Sequence, residues 1–210
     1  MRKLAFVFLM VVVGLGFSGC SYNEMTAKQQ NVKGSWADVE TQLQRRADLI
    51  PNLVKAAQTA GVQEQEVFGK IAEARSTLLN AVKAAPAGDE AGKTPEQKQA
   101  ILEANNSFGG TIGRLLALQE NYPVLKSNEN FLKLQDELTG TENRIATSRS
   151  DYNKVVTDYN TTINQFPAVI TAKLVGFKEE PFFKADEASR AAPSLPDPNS
   201  IREKAAPAAK

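Results

Sequence analysis

The chain contains no histidine and a single cysteine, Cys20. Without histidine it lacks the side chain that most often serves as general base and most often ligates transition metals at neutral pH. One thiol makes no internal disulfide, and no Cys/His metal cluster can be assembled. Carboxylate-only calcium or magnesium sites remain chemically open, but there is no D-x-D-x-D-G loop, no Gly-rich phosphate loop and no G-x-S-x-G nucleophile turn. Gly109-Gly110 with Gly113 is dense in glycine, yet it carries no lysine and follows no strand. The formal charge of +1 over 210 residues leaves no basic footprint for nucleic acid. Strand-type alternation of useful length is absent. So is an apolar run of the roughly 20 residues that a membrane helix needs.

What apolar run there is lies at the start. Met1-Arg2-Lys3 is positive, Leu4 to Phe17 is uncharged, and Ser18-Gly19-Cys20 supplies small residues followed by the thiol. This has the three parts of a secretory signal. It resembles the lipobox of bacterial lipoproteins, with Phe17 standing where an aliphatic residue is usual. That resemblance implies removal of residues 1–19 and a diacylglyceryl and N-acyl lipid on Cys20 as the new N-terminus. Two acyl chains give stable anchoring where one gives marginal binding. The alternative is an uncleaved signal anchor. Either reading places the body outside the cytoplasm, and Ser21, where Asp usually signals inner-membrane retention, points to the outer membrane if the cell has two membranes. Loss of Arg2 and Lys3 turns the net charge from +1 to −1. About 190 residues then remain, enough for one substantial domain.

Beyond the signal the apolar period is helical. Val32, Trp36, Val39, Leu43, Arg46, Ile50 and Leu53 alternate spacings of four and three, a heptad-like seam from Tyr22 to about Ala60. Pro51 predicts a kink near Asp48–Ile50, and Gly61 a stop or a hinge. A second helix carries Val67, Ile71, Ala74, Leu78 and Val82. Residues 86–94 read as a connector. Thr94-Pro95 is a helix start, cap then proline at the first turn, for a third helix with Ile101, Asn105, Phe108, Ile112, Leu115 and Leu118. Pro123 closes it. A fourth helix, capped by Ser127, carries Phe131, Leu134, Leu138, Thr141, Ile145, Ser148, Tyr152, Val155, Tyr159, Thr162 and Phe166. At ~1.5 Å per residue it would be about 57 Å long.

Pro167 to Gly176 suits a short fifth helix. The Ala/Pro-rich residues 184–210 suit a disordered tail. The expected domains are therefore a lipoprotein signal (1–19), a helical bundle (20–183) and the tail (184–210). Short connections favour antiparallel neighbours. The fold class expected is all-α: an elongated up-down bundle of four main helices, two of them long, with a short C-terminal fifth. Arg46, Asn105, Thr141 and Ser148 interrupt the apolar seams. They either set register from within the core or stay solvated at its edge.

The motifs Asn121-Tyr122-Pro123, Asn128-Glu129-Asn130-Phe131, Leu134-Gln135 with Leu138, Thr141-Glu142-Asn143-Arg144-Ile145-Ala146, Arg149 with Tyr152-Asn153, and Tyr159-Asn160 followed by Phe166-Pro167 resemble the LemA family. Upstream, Tyr22-Asn23, Trp36 with Val39, Gln42-Leu43, Arg46, Asp48-Leu49-Ile50-Pro51-Asn52-Leu53-Val54 and Ala74-Arg75 fit the same pattern, as do Gly176-Phe177 and Phe182-Phe183. The resemblance covers about Tyr22 to Phe183. It implies an all-α bundle facing away from the cytoplasm, with no established catalytic activity; apart from the lipid on Cys20, no cofactor is expected. Many members keep an N-terminal membrane helix, where this chain has a lipobox.

Three function classes follow. The first is a lipid-anchored envelope protein acting as a helical interaction or scaffold module, with the membrane and envelope proteins as partners and neither nucleic acid nor metal. Up-down topology returns residues 167–183 toward the anchor, so Val169, Ile170, Leu174, Phe177, Phe182 and Phe183 are candidates for contact with membrane or partner, with Lys173 and Lys178 at headgroup level. The alternative is that this segment folds back and caps the bundle. The second class is a ligand binder: Tyr152-Asn153 and Tyr159-Asn160 repeat at one heptad and form either a ligand-binding face or an interhelical polar contact, with Tyr22-Asn23 as a third pair. The third is an enzyme built on Arg46/Asp48 or Glu142/Arg144. Charges so spaced on helices are usually ion pairs, and the expectation is a non-enzymatic protein.

Overall fold

The computed structural model describes residues 2–84 and 92–183, with side chains from Ser21 onward. The side chains of residues 2–20, where the expected signal and Cys20 fall, and the whole of the expected tail at 184–210, lie outside the described residues. The described residues fold into six helices and no strand: α1 (Arg2–Thr59), α2 (Gln65–Lys83), α3 (Pro95–Asn121), α4 (Pro123–Ser127), α5 (Glu129–Asn164) and α6 (Ala168–Val175). The backbone of α1 runs from Arg2 rather than starting at Tyr22.

The heptad-like seam of α1 is the spine of the core. All seven of its residues, Arg46 included, are buried. α5 lies along α1 with falling numbers against rising ones. Lys28 bonds Asp158 at 2.8 Å, and Arg45 meets Glu137 at 3.4 Å. α2 packs on α3, and α6 on both α1 and α5. The six stripe residues of α3 are all buried. On α5 the stripe departs from its heptad reading near the C-terminal end. Val156, not Val155, is fully buried, and Phe166 stands 82% exposed beyond the helix end. The change is local, since Tyr159 and Thr162 further along the same stripe remain buried.

Caps explain the boundaries. At α3, Thr94 and Gln97 form the reciprocal capping box, each side chain accepting from the other's backbone N–H. Pro123 ends α3 as expected but also opens the extra turn α4. Asn128 rather than Ser127 caps α5, its Oδ1 accepting from the N–H of Phe131 at 3.0 Å. Ser127 is the last residue of α4.

The buried polar residues have specific partners. Arg46 joins three helices: Nη1 donates to Asn105 Oδ1 of α3 at 2.8 Å, and Nη2 meets Glu142 of α5 at 3.1 Å. Burial lowers its affinity for the proton, and Glu142 opposes that. The guanidinium lies over the Phe108 ring, against Gly109, where a Cβ would come within 3.2 Å of Nη2. The glycine-dense stretch of α3 thus makes room for an arginine. Arg46, Asn105 and Thr141 are buried, so they act from within the core, while Ser148 is half-buried.

Pro51 leaves α1 helical throughout. Its missing N–H would have bonded the carbonyl of Ala47, four residues back. Arg75 of α2 replaces it, with Nε donating to Ala47 O at 2.7 Å and Nη2 reaching Asp48. Proline and arginine are therefore a matched pair. Arg75→Met is expected to cost about 1–2 kcal/mol in the natural chain, the cost of an unmet buried carbonyl. With Pro51→Ala the backbone N–H returns and most of that cost disappears. A double-mutant cycle by denaturant unfolding measures this coupling.

Candidate functional site

The site is a groove along α1, α3 and α5, filled by the segment that follows α6. α6 stops at Gly176, whose φ of +92° is a left-handed conformation suited to glycine. Residues 177–183 then continue without helical structure, parallel to α1 and against the direction of α5; we call them the strap.

α5 reads the strap through its main chain. Asn153 donates from Nδ2 to Phe183 O at 3.2 Å and accepts at Oδ1 from Phe183 N at 2.9 Å. Asn160 does the same to Glu180, at 2.9 Å in both directions. Each carboxamide thus pairs with one residue as a neighbouring strand would. The hydroxyls of Tyr152 and Tyr159 donate to the carbonyls of Pro181 and Lys178, at 3.1 and 3.0 Å. The repeat is metrical. Seven helical residues advance about 10.5 Å, and three extended residues about 9–10 Å, so one heptad of α5 matches three residues of strap. Tyr22 instead meets Phe177 ring to ring, at 5.9 Å.

The strap's inward face has the same period of three. Phe177, Glu180 and Phe183 are half-buried, and the residues between them are exposed. Phe183 stacks on Trp36 at 5.3 Å and meets the Tyr152 ring edge-on at 4.9 Å. Glu180 bonds Lys98 of α3 at 2.6 Å. The Lys98 ammonium is buried between the rings of Trp36 and Tyr152, 5.3 and 5.4 Å from their centres, and donates to the Tyr152 hydroxyl at 3.2 Å. Trp36 Nε1 donates to Glu40 at 2.6 Å, and Lys93 approaches the same carboxylate at 3.8 Å. Burial raises the proton affinity of Glu40 above the ordinary carboxylate range, against the pull of Trp36 and Lys93.

The ten noncovalent site candidates fall into distinct places. Tyr152 and Tyr159 are buried and Asn153 and Asn160 half-buried, all four under the strap. Phe177 and Phe183 pack against the core, and Phe182 faces outward. Val169 is half-buried, while Ile170 and Leu174 project from α6, Leu174 at 83% exposure. Cys20 stands on the backbone of α1, just ahead of Tyr22. Arg46, Asp48, Glu142 and Arg144 form no acid–base pair as grouped in sequence: Arg46 goes to Glu142, Asp48 to Arg75, and Arg144 to the Thr141 hydroxyl. Sequence reasoning missed Lys98 and Glu180. Lys98 continues the α3 stripe, three residues before Ile101 and seven before Asn105, and that spacing was its signal.

Comparison with known proteins fits this architecture. The sequence model of the LemA family matches residues 35–196, and the chain belongs to the LemA family. Magnetosome proteins MamQ 2 and MamQ 1 of Paramagnetospirillum magneticum (strain ATCC 700264 / AMB-1) are each 29% identical over 175 residues, covering 78% of this chain and 64% of theirs. Protein LemA of Metamycoplasma hominis is 22% identical over 168 residues, 80% of this chain and 71% of its own. The chain thus spans less than two thirds of the length of the MamQ relatives.

Two outcomes test the strap. The sole tryptophan, stacked on Phe183, reports docking through its emission. Asn153→Ala with Asn160→Ala removes four main-chain hydrogen bonds and is expected to shift that emission to the red, at a cost of about 1–2 kcal/mol per asparagine. Alkaline pH acts through the tyrosines. Burial and the Glu180 charge push Tyr159 from its ordinary 10.0 up to about 12, and raise Tyr152 as well. The folded state therefore holds these protons more tightly than the unfolded one, so the stabilisation is complete below pH 10.0 and is lost as the pH rises toward 12. An alkaline titration of Trp36 emission, run beside Tyr159→Phe, checks it.

Proposed function

We propose that this protein is a non-enzymatic interaction module of the bacterial cell envelope, an elongated up-down helical bundle tethered by acyl chains on Cys20. The observation that carries the reading is the outer face of α6 and its approach. Phe166, Ile170, Leu174 and Val175 are all exposed. α6 packs against α1 and α5 through the buried Ala172. The Tyr22–Phe177 contact sets the segment beside the stretch of α1 that leads back to Cys20. An apolar face there, with exposed Lys173 and Lys178 nearby, suits the boundary between headgroups and acyl chains.

Among the described residues no helix is long and apolar enough to cross a membrane. The names of the relatives fit a module defined by where it sits: two are named for the magnetosome, and neither those names nor the family's denotes a reaction.

Partition into vesicles tests the α6 contact apart from the acyl chains. A full chain with Cys20→Ala, expressed without acylation, is expected to bind vesicles of phosphatidylethanolamine and phosphatidylglycerol. Each fully buried aliphatic side chain contributes about 1.5–3 kcal/mol, so Ile170→Ser with Leu174→Ser lowers partition by at least about tenfold. Absent binding, or binding indifferent to these changes, refutes the α6 contact. Incorporation of labelled palmitate into the natural chain, and its loss in Cys20→Ala, tests the tether.

A further inference from the structure

We propose that the groove beneath the strap is a peptide-binding site, and that its occupant in the engaged state is an extended acidic segment of another protein with the pattern aromatic-x-x-Glu-Pro-x-aromatic. The strap is then a tethered ligand that such a segment displaces. The proposal deepens the interaction reading above and rests on it for context, while its test needs no membrane.

The bound chemistry defines the ligand. Asn153 and Asn160 pair with main-chain N–H and C=O alone, and Tyr152 and Tyr159 with carbonyls alone. These six bonds would be made by any extended chain of matching direction, as in strand addition at a sheet edge. Selectivity comes from the inward positions three residues apart. Trp36 takes a stacked aromatic ring, the ammonium of Lys98 takes a carboxylate, and Tyr22 takes a second ring. Pro181 lies where the chain offers only a carbonyl, so its lack of an N–H loses nothing.

Charge points to an acidic ligand larger than the strap. A cleft of about 640 Å³ opens beside Trp36, Lys98 and Glu180. Its walls hold five lysines, among them Lys33, Lys83 and Lys178, against three glutamates. The strap itself supplies two of those glutamates, Glu179 and Glu180, and one of the lysines, Lys178, so without it four lysines face one glutamate. Its departure would leave the cleft more positive, and an incoming acidic segment restores the balance.

Release is local. The strap begins immediately after Gly176, and its outward residues Lys178, Glu179, Pro181 and Phe182 are exposed. The contacts it makes with the seams, Phe183 on Trp36 and Tyr152 and Glu180 on Lys98, are those an incoming segment must remake. A tethered ligand competes at an effective concentration in the millimolar range for a short connection, so a free peptide is read best on a chain whose own strap is weakened.

The test uses the full chain with Glu180→Gln and Phe183→Ala, and the synthetic peptide Gly-Phe-Lys-Glu-Glu-Pro-Phe-Phe as probe, followed by Trp36 emission and calorimetry. The expected result is saturable binding that reverses the red shift. Affinity should fall at least tenfold when Asn153→Ala and Asn160→Ala are added, or when the glutamate before proline in the peptide is alanine. The natural chain should bind at least tenfold more weakly than the weakened one. No saturable binding, equal binding of a scrambled peptide, or equal binding by the natural chain overturns the proposal. If circular dichroism shows the double variant unfolded, Phe183→Ala alone serves under the same criteria. Vesicle binding that persists while peptide binding fails would leave the envelope reading standing and remove this one.

Discussion

A buried ammonium requires a counter-charge, and in this protein that requirement falls on Lys98. Its Nζ lies between Trp36 of α1 and Tyr152 of α5, itself belongs to α3, and finds its carboxylate in Glu180 of the strap. Four segments thus meet at one charge. Such a pair is a weak source of net stability, because desolvation offsets most of the attraction. Its effect is selective: a strap shifted by one residue would present Glu179 or Pro181 to Lys98 and break both asparagine pairings at once. The charge sets the register of the C-terminal segment, and through Gly176 the position of α6.

The same logic recurs one layer deeper. Arg46 is buried against Phe108 and held by Asn105 and Glu142. Pro51 removes a donor from α1, and Arg75 of α2 supplies another. In each case a polar group left incomplete on one helix is completed from another, so the helices are indexed along their axes as well as attracted sideways. Apolar seams with heptad-like spacing are tolerant of slips by a whole heptad; buried polar partners are not. The long α1–α5 pair, with few caps along its length, takes its axial alignment from these contacts.

The result is a body with two unlike ends to its C-terminal segment. α6 turns Ile170, Leu174 and Val175 outward and touches the core through Ala172. The strap turns Phe177 and Phe183 inward and leaves alternate residues in solvent. The division follows from geometry. A helix of eight residues presents one face to its support and must expose the rest when it is apolar all round. An extended segment with a three-residue repeat buries one position in three.

Much of the fold was legible in residue order. The seams of α1 and α3, the Thr94 cap, the stops at Gly61 and Gly176 and the all-helical class follow from spacing and local chemistry, which act within a turn or two. Belonging to the LemA family was legible in the motifs. The slip from Val155 to Val156 and the cap at Asn128 rather than Ser127 were not, since local burial and cap geometry depend on what packs opposite. Tyr152-Asn153 and Tyr159-Asn160 announced a repeated face one heptad apart. What met that face was decided by tertiary structure alone, because a heptad of helix and three residues of extended chain happen to share a length, and no local pattern records that 177–183 lies alongside. Lys98 and Glu180 are the clearest case. Spacing places Lys98 on the α3 stripe, but nothing local marks Glu180, 82 residues away, and the two become a buried pair only when three helices and the strap close around them.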